Sequence, residues 1–417
     1  MSALLLISFI SIPLVFKTPK ISPAFLFCLF WTTQFILCYA IFQNTTWSLE
    51  TPVWLVCIFI SAFLGQHVGW LAFNIYGAKW CKNGHARSFD TKRAKELLII
   101  CIAVALIYSI RNIISRGFSL SSFSSISSMA AMNNSIAVDR YGGGGNSSHG
   151  VFDTLLLTFV YFAPMIAGFI LPYLNRTKDK ILICLSFVPA LLVLLTENTK
   201  AVFIAVAIFF LAAYVVSSLM LYGKLELDPK RIIIIIALLT AMLALLLFSM
   251  MLRIGSIDGA SLNAAILKFG NYAFGHVAAF DNWLPSNMFP LDLGFGYNSL
   301  IGVARFLFSG TRVQGIYRDY YRGEELVTNV FSYFRGFVQD FGSIGSLLVA
   351  FFLFAIAGYA FYSLKNGDKH SLMCVVLLLM AYCTILYYIV SLFSYTSFIL
   401  LFPLFAIFYS ITWKREK

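Results

Sequence analysis

Long apolar runs divide this sequence, and short charged or turn-rich links separate them. The runs lie near residues 1–16, 21–42, 51–76, 96–114, 151–174, 180–195, 201–222, 232–251, 334–364, 371–390 and 395–412. About 20 helical residues are needed to cross the roughly 30 Å hydrocarbon core of a bilayer. The pattern therefore predicts an all-α polytopic membrane protein with about eleven transmembrane helices.

The composition favours the same class of protein. Hydrophobic residues make up 60% of the chain and charged residues 12%, which leaves too little polar surface for a water-soluble globular protein. The cysteines include no Cys-x-x-Cys pair, and all but Cys81 lie in apolar runs. This arrangement predicts neither a disulfide framework nor a zinc site. The first run lacks a basic segment before it and a small-residue cleavage site, so we expect it to be retained as a span.

The positions of Lys and Arg predict the orientation, because basic residues are retained on the cytoplasmic side during membrane insertion. If Lys17 and Lys20 lie inside, most of the 30 basic residues fall in inside links, and the short outside links 43–50 and 391–394 contain none. This assignment places the N-terminus outside and the C-terminus inside. It also accounts for the net charge of +12 without a nucleic-acid partner.

The predicted spans divide the chain into three regions. Residues 1–251 contain the first eight spans and a Ser/Gly-rich outside loop at 115–150. Residues 252–333 form a large outside loop, and residues 334–417 contain the last three spans and a basic inside tail. The composition of 115–150 predicts a mobile linker or lid.

Part of the large loop has helical periodicity. Apolar residues and one histidine recur there at steps of three and four: Leu262, Ile266, Phe269, Ala273, His276 and Phe280. The spacing places them on one face of a helix. We therefore expect an amphipathic helix that lies along the membrane surface.

The basic residues assigned to the outside are mostly arginine, whereas the inside links hold mostly lysine. The guanidinium group binds phosphate or carboxylate through two parallel hydrogen bonds, so we interpret the outside loop as a phosphate-binding region. Alternatively, its arginines pair with carboxylates of the loop or reach lipid headgroups. Lys200 has its own alternatives, a pair with Glu197 or a position at the carbonyl end of the preceding helix. The candidate anion-binding residues are Arg253, Arg305, Arg312, Arg318, Arg322 and Lys200.

Motifs for metals and nucleotides are missing from the sequence. It contains no His-x-x-x-His or Asp-x-Asp cluster and no G-x-x-x-x-G-K-[S/T] loop. The first two patterns are typical of metal sites and the third of nucleotide binding. We therefore expect neither a metal nor a cofactor.

Three segments carry a resemblance to a known family. They are FGNYAFGHVAAFDNWLP (269–285), GFGYNSLIGVARFLF (294–308) and TNVFSYFRGFVQDFGSIGSLLVAFFLF (328–354). The last contains Asp-Phe-Gly-x-x-Gly at the start of a long apolar helix. These segments resemble Wzy-type O-antigen polymerases, the oligosaccharide repeat unit polymerases, and Lys200 occupies the place where similar proteins usually have an arginine.

The resemblance implies a metal-independent membrane glycosyltransferase with a GT-C-like fold and a periplasmic catalytic loop at 252–333. Such an enzyme lies in the bacterial inner (cytoplasmic) membrane, here with a periplasmic N-terminus and a cytoplasmic C-terminus. It transfers a growing glycan from undecaprenyl diphosphate onto a new lipid-linked repeat unit. Its partners are the undecaprenyl-diphosphate-linked oligosaccharide, membrane lipid, a chain-length regulator and a flippase. A general base must accept the proton of the attacking hydroxyl, and the candidates are Asp281, His276, Glu324 and Asp340.

Two other functions remain open at this stage. A lipid-linked glycan flippase or other transporter also uses many helices and intramembrane cations. An O-antigen ligase, which attaches finished glycan to a lipid core, has a similar layout. The outside loop of about 80 residues favours an enzyme over a transporter, because transporters usually bind their substrate near the bilayer midplane.

Overall fold

A computed structural model of the chain describes most of its residues. The described ranges are 2–42, 46–77, 87–115, 117, 124–141, 150–174, 176–197, 199–225, 229–303, 316–322, 325–366, 371–388 and 390–415.

Helices dominate these residues. In chain order they are α1 (Ser2–Phe16), α2 (Pro23–Ile41), α3 (Glu50–Ala72), α4 (Thr91–Ser115), α5 (Ile126–Tyr141), α6 (Val151–Ile170), α7 (Thr177–Leu185), α8 (Val188–Glu197), α9 (Lys200–Tyr222), α10 (Pro229–Ile254), α11 (Gly259–Trp283), α12 (Tyr333–Asn366), α13 (Leu372–Leu386), α14 (Thr396–Ile399) and α15 (Leu401–Thr412). A π-helical turn at Phe73–Gly77 extends α3, and 3₁₀ turns lie at Leu171–Tyr173, Pro285–Asn287 and Leu392–Ser394. The strands are β1 (Arg87–Phe89), β2 (Ile316–Arg322), β3 (Glu325–Val330) and β4 (Trp413–Arg415).

Within the described ranges, seven helical segments are long and apolar enough to cross a membrane. They are Pro23–Ile41, Glu50–Gly77, Thr91–Ser115, Val151–Tyr173, Lys178–Thr196, Lys200–Tyr222 and Tyr333–Asn366. Leu239–Ile254 and Gly259–Trp283 make an eighth when counted as one span, although a bend of 116° separates them. The chain is therefore a multi-pass membrane protein, as the apolar runs predict. Shorter apolar helices lie where the sequence predicts the first span and the last two: Ala3–Phe16, Leu372–Leu386 and Thr396–Thr412.

The chain forms two compact units. Unit 1 comprises Met1–Ser88, Ser218–Lys224 and Gly270–Lys417, and unit 2 comprises Phe89–Ser217 and Leu225–Phe269. Both ends of the chain belong to unit 1.

In unit 1, α3 and α12 run in the same direction with their backbones in contact. A Cβ atom at Gly65 would overlap the carbonyl oxygen of Phe351, and one at Gly69 would overlap the carbonyl oxygen of Ala355. Small residues permit this approach, which is a common way for membrane helices to pack. The two glycines therefore fix the distance between these helices.

Unit 2 contains two ion pairs near the ends of its helices. Lys95 Nζ lies 3.0 Å from Asp179 Oδ1, and Arg111 Nε lies 3.2 Å from Asp153 Oδ1. The topology predicted from the basic residues assigns the first pair to the inside and the second to the outside. Each pair thus joins residues that this topology assigns to one side of the membrane.

The Ser/Gly-rich loop 115–150 differs from its prediction. We expect a mobile linker or lid from its composition, but Ile126–Tyr141 is helical. The Ser125 hydroxyl accepts a hydrogen bond of 3.1 Å from the Ser128 amide, and Ala130 is buried. Serine before a helix satisfies a free amide of its first turn, and the Ala and Met residues that follow favour a helix.

The large loop 252–333 contains one long helix and a hairpin. The predicted helix is present as α11 and has 25 residues. Strands β2 and β3 form an antiparallel hairpin in which Arg322 lies opposite Glu325. The hairpin is an element that the sequence does not predict for this loop.

The predicted apolar face of α11 is buried against the protein only in its second half. In the first half, Leu262 and Ile266 are exposed, while Ala265 is buried against Met250 and Met251 of α10. Three predicted positions in the second half are buried: Ala273, His276 and Phe280.

Candidate functional site

Helix α12 is interrupted near its start, in unit 1. Gly342 has φ 69° and ψ 173°, so residues 333–341 form a short helix before the long segment 343–366. Glycine adopts this positive φ without steric cost, whereas other residues are strained there. The interruption lies in the Asp-Phe-Gly motif at 340–342.

The carboxylate of Asp340 precedes this interruption and holds the loop 294–299. Its Oδ1 accepts hydrogen bonds from the amide and the Nδ2 of Asn298, both at 2.9 Å. Its Oδ2 accepts from the amide and the hydroxyl of Ser299, at 2.6 and 2.5 Å. The side chain is fully buried. Burial of a carboxylate is costly unless it is hydrogen-bonded, and both oxygens meet that requirement here.

Backbone hydrogen bonds reinforce the same contact. The amides of Gly294 and Phe295 donate to the carbonyl oxygens of Gln339 and Asp340, each at 3.1 Å. A Cβ atom at Gly294 would overlap the Asp340 carboxylate, so only glycine permits this approach. We call residues 294–299 together with 339–342 the Asp340 cluster.

Asp281, in the last turn of α11, is a second buried carboxylate. Its two oxygens accept hydrogen bonds from Ser48, at 3.0 Å from the amide and 2.8 Å from the hydroxyl. Burial raises the pKa of Asp281, while hydrogen bonds from Ser48 and Thr51 act in the opposite direction. Because Ser48 lies two residues before the start of α3, Asp281 ties the start of α3 to the end of α11.

His276 of α11 is enclosed by aromatic side chains. Its ring centroid lies 4.8 Å from that of Tyr388 and 6.0 Å from that of Trp31. It is 1% exposed, and among the described residues neither ring nitrogen meets a partner in hydrogen-bond geometry, although the backbone of Ala273 interacts with the ring. The neighbouring Trp31 Nε1 donates to the Tyr333 hydroxyl at 3.1 Å.

Arg335 is held between two aromatic rings. Its guanidinium carbon lies 4.2 Å from the centroid of Phe331 and 4.8 Å from that of Trp283. A cation over an aromatic face is attracted by the ring quadrupole, and stacking also restricts how the guanidinium plane is oriented. Arg335 is therefore an arginine whose orientation is fixed before any ligand arrives.

The predicted anion-binding residues are described to different extents. Lys200 begins α9 and Arg253 lies in the last turn of α10, both in unit 2. Arg318 and Arg322 belong to strand β2 of unit 1. Arg305 and Arg312 lie outside the described residues, as does the candidate base Glu324.

Three candidate bases are described, and all three are enclosed. Asp281 and His276 are each 1% exposed, and Asp340 is 0% exposed. Each oxygen of both carboxylates accepts at least one hydrogen bond from the protein itself. This arrangement suits residues that position other groups.

Sequence reasoning did not single out Arg335, Asn298, Ser299 or Ser48. Arg335 belongs to the outside arginines, but its sequence neighbours do not distinguish it. Its aromatic partner Trp283 lies about fifty positions earlier in the chain, and no local pattern links residues so far apart. The other three act through hydrogen bonds to distant carboxylates, which a hydropathy pattern does not encode.

The three segments that carry the family resemblance contact one another in unit 1. Segment 269–285 contacts 328–354 through Trp283 and Arg335, and also through Phe280 and Phe334, whose centroids are 5.8 Å apart. Segment 328–354 contacts 294–303 through the Asp340 cluster. Residues far apart in sequence thus form one hydrogen-bonded and aromatic assembly beside the start of α3.

The described residues contain no group of three or more His, Cys, Asp and Glu side chains arranged to hold a metal ion. Comparisons with family models, with curated proteins and with solved structures find no match to this chain.

Proposed function

We propose that this chain is a membrane glycosyltransferase that polymerises undecaprenyl-diphosphate-linked oligosaccharide repeat units into O-antigen or a related surface polysaccharide. The proposal is carried by the contact between three segments, 269–285, 294–303 and 328–354, that resemble O-antigen polymerases. Their assembly supports a site that is built from all three.

The proposed reaction transfers a glycan between two lipid carriers. A hydroxyl oxygen of the acceptor repeat unit attacks the anomeric carbon of the donor glycan, and a new glycosidic bond forms. The bond from that carbon to the donor diphosphate breaks, so undecaprenyl diphosphate leaves. A carboxylate accepts the hydroxyl proton, and cations stabilise the charge that develops on the leaving diphosphate.

We assign the general base to Glu324. A base must reach the substrate, and the other candidates, Asp281, His276 and Asp340, are enclosed. In the sequence Glu324 lies between Arg322 and Glu325, the last facing pair of the hairpin, and is itself outside the described residues. In this assignment Asp281 and Asp340 are positioning residues, and His276 packs among aromatic rings.

We assign binding of the diphosphate groups mainly to arginine side chains. Arg335 is added to the binding residues that were named from the sequence. The proposed diphosphate-binding residues of unit 1 are then Arg305, Arg312, Arg318, Arg322 and Arg335. Arg253 and Lys200 belong to unit 2, and their part in binding stays a prediction from the sequence. Two lipid diphosphates must approach each other during transfer, and concentrated cations offset their repulsion. The stacking of Arg335 on Trp283 and Phe331 supports its inclusion. A guanidinium group that is already oriented loses less conformational entropy when it binds phosphate.

The proposal includes a membrane arrangement. It has about eleven spans in a GT-C-like fold, with the bend between α10 and α11 and the hairpin β2–β3 on the periplasmic side. The N-terminus is periplasmic and the C-terminus cytoplasmic, in the bacterial inner membrane. Reporter fusions test this orientation. A periplasmic signal after Gly310 and a cytoplasmic signal after Lys224 support it, and the reverse pattern contradicts it.

The function is tested by reconstitution of the purified chain with lipid-linked repeat units in liposomes. A ladder of products that differ by one repeat unit supports polymerisation. Movement of the substrate across the bilayer without a ladder indicates a flippase, and transfer to lipid A core without a ladder indicates a ligase. EDTA in the same assay tests metal independence, since a ladder lost in EDTA and restored by one divalent ion contradicts it.

A strain that lacks the chain separates the same three functions in the cell. Surface glycan with single-repeat caps is expected when a polymerase is missing. Complete loss of surface glycan indicates a flippase or a ligase. The chain-length regulator and the flippase are the protein partners that the proposal implies, and co-purification with either tests that part.

A further inference from the structure

The loop after α11 exposes large apolar side chains in an alternating pattern. Phe289 is 74% exposed, Leu291 101%, Leu293 39% and Phe295 80%. The only charged residue among positions 285–303 is Asp292. Contiguous exposed apolar groups of this kind mark a surface that contacts another apolar phase. We call residues 289–295 the apolar loop.

Backbone hydrogen bonds hold the apolar loop in place at both of its ends. Before it, the Met288 carbonyl oxygen accepts from the amide and the hydroxyl of Ser343, at 3.1 and 2.7 Å. At its end, Gly294 and Phe295 donate to α12 within the Asp340 cluster. Phe295 has φ 46°, a region that non-glycine residues occupy only when surrounding structure holds them there. The side chains are therefore exposed by a fixed backbone.

The apolar loop lies at the end of a stripe that faces away from the protein. After Gly342, exposed apolar residues recur along α12 at every fourth position: Ile344, Leu348, Phe352 and Ile356. Positions four apart lie on one helix face. Since α12 belongs to a span, this face contacts lipid. Atoms of Pro290 and Leu293 lie beside Gly342, so the loop continues the stripe at its first turn.

Residues near the apolar loop are of types that favour the membrane interface. Arg335 and Trp283 stack on each other, and Trp and Arg are typical of the interface between hydrocarbon and water. Trp54, in the second turn of α3, donates through Nε1 to the Ser343 carbonyl oxygen at 3.3 Å. The start of α3, the interruption of α12 and the apolar loop therefore lie at one level of unit 1.

We propose that the apolar loop inserts into the adjacent membrane leaflet and that its occupant is the acyl chains of bilayer phospholipid. Continuity with the lipid-facing stripe of α12 favours lipid over a protein partner, because the loop and the stripe form one apolar surface. The fixed backbone favours insertion in one orientation. The loop then acts as an anchor that holds the Asp340 cluster at the membrane surface.

Photo-crosslinking in defined liposomes tests the proposal. Benzoylphenylalanine replaces Phe289 in one variant and Leu291 in another, in liposomes that contain phosphatidylglycerol and phosphatidylcholine and no polyprenyl lipid. A third variant carries the probe at Leu348 of the stripe, and a fourth at the exposed Ser286 before the loop. Mass spectrometry after irradiation measures phospholipid adducts on the full-length chain.

Loop probes are expected to give adduct yields close to that of Leu348 and several-fold above that of Ser286. Yields at 289 and 291 no higher than at Ser286 overturn the proposal. Adducts to a second copy of the chain instead of phospholipid also overturn it. Two loop positions are used because one variant can fail to fold, and only variants with the melting temperature of the parent are scored.

Discussion

Two hydrogen bonds join Asp340 to Ser299, because the carboxylate accepts from both the amide and the hydroxyl of Ser299. Asn298 supplies two more donors to the same carboxylate. The four bonds join the interruption of α12 to a loop about forty positions earlier. This side chain acts together with the backbone hydrogen bonds of Met288, Gly294 and Phe295 to hold the apolar loop on unit 1.

Replacement of Asp340 is expected to lower stability in proportion to the donors left without an acceptor. Asp340→Ala leaves buried amides of Asn298 and Ser299 unsatisfied, and each costs about 1–3 kcal/mol. Asp340→Asn keeps one acceptor oxygen and should fall between alanine and the parent. Thermal unfolding in detergent measures the order. Asp292→Asn, on the exposed loop, is the matched control, and a melting temperature of Asp340→Ala equal to that of the control contradicts the role of Asp340.

Substitution of either glycine at the contact between α3 and α12 is expected to destabilise the protein. In Gly65→Ala or Gly69→Ala the new Cβ meets a backbone carbonyl that moves only with its helix, so about 1–3 kcal/mol or more should be lost. Gly270→Ala in α11 is the control, because nothing lies within 4 Å of its Cβ position. That change should be neutral or stabilise by up to about 1 kcal/mol. Equal melting temperatures for all three variants would show that α3 and α12 do not touch.

Asp258 is expected to make stability depend on pH below neutrality. It precedes α11 and accepts a hydrogen bond of 2.7 Å from the Ser261 amide, and hydrogen bonds from Ser261 hold the pKa of Asp258 below its usual value. A lowered pKa means that the stabilisation is present above the unfolded pKa and is lost as the pH falls through the folded pKa. The melting-temperature difference between the parent and Asp258→Ala should therefore be constant near neutral pH and shrink below about pH 4. A difference that is independent of pH contradicts this.

The sequence predicts the helices well because each apolar run must satisfy its own backbone in lipid, which is a local requirement. It predicts helix faces less well. Leu262 and Ile266 are exposed while Ala273 and Phe280, on the same predicted face, are buried, since an apolar side chain in a membrane protein can face lipid as well as protein. Periodicity alone does not separate these two environments.

The sequence names residues of the candidate site but does not predict their long-range contacts. The Asp-Phe-Gly motif points to Asp340, but nothing near it in sequence identifies Asn298 and Ser299 as its donors. The helix at 126–141 was missed because serine is counted as a loop former, whereas Ser125 caps the helix that follows. Asp281 and Asp340 are enclosed because each carboxylate accepts hydrogen bonds from a distant segment, and composition does not show that.

Glu324 and its neighbour Glu325 offer a direct test of the general base. Glu324→Gln removes the proton acceptor without changing size and should lower the polymerisation rate by roughly 10²- to 10⁴-fold. Glu325→Gln, the next residue along the chain, should leave most of the rate. Polymer formed in reconstituted liposomes at equal protein amounts measures both. If Glu324→Gln retains the parent rate, the base is another residue.

Polymerisation is expected to require arginine at position 335, and lysine should not replace it. Arg335→Lys keeps the charge but loses the planar group that stacks between Trp283 and Phe331 and that binds phosphate through two hydrogen bonds. A lost charge-assisted contact is worth about 1–3 kcal/mol, or roughly a tenfold to hundredfold lower rate. Arg335→Lys should therefore fail nearly as badly as Arg335→Ala in the polymerisation assay.

A second arginine supplies the control for this comparison. Arg111 is 55% exposed, pairs with Asp153 and lies 5.4 Å from the centroid of Phe152, so it is likewise an arginine in contact with an aromatic ring. Exposed ion pairs contribute about 0–1 kcal/mol, and Arg111→Lys should leave the rate nearly unchanged. Trp283→Leu removes one stacking partner and should give a partial loss, because the guanidinium remains but is less well oriented. If Arg335→Lys polymerises at the rate of Arg111→Lys, Arg335 acts as a charge alone or has no part in diphosphate binding.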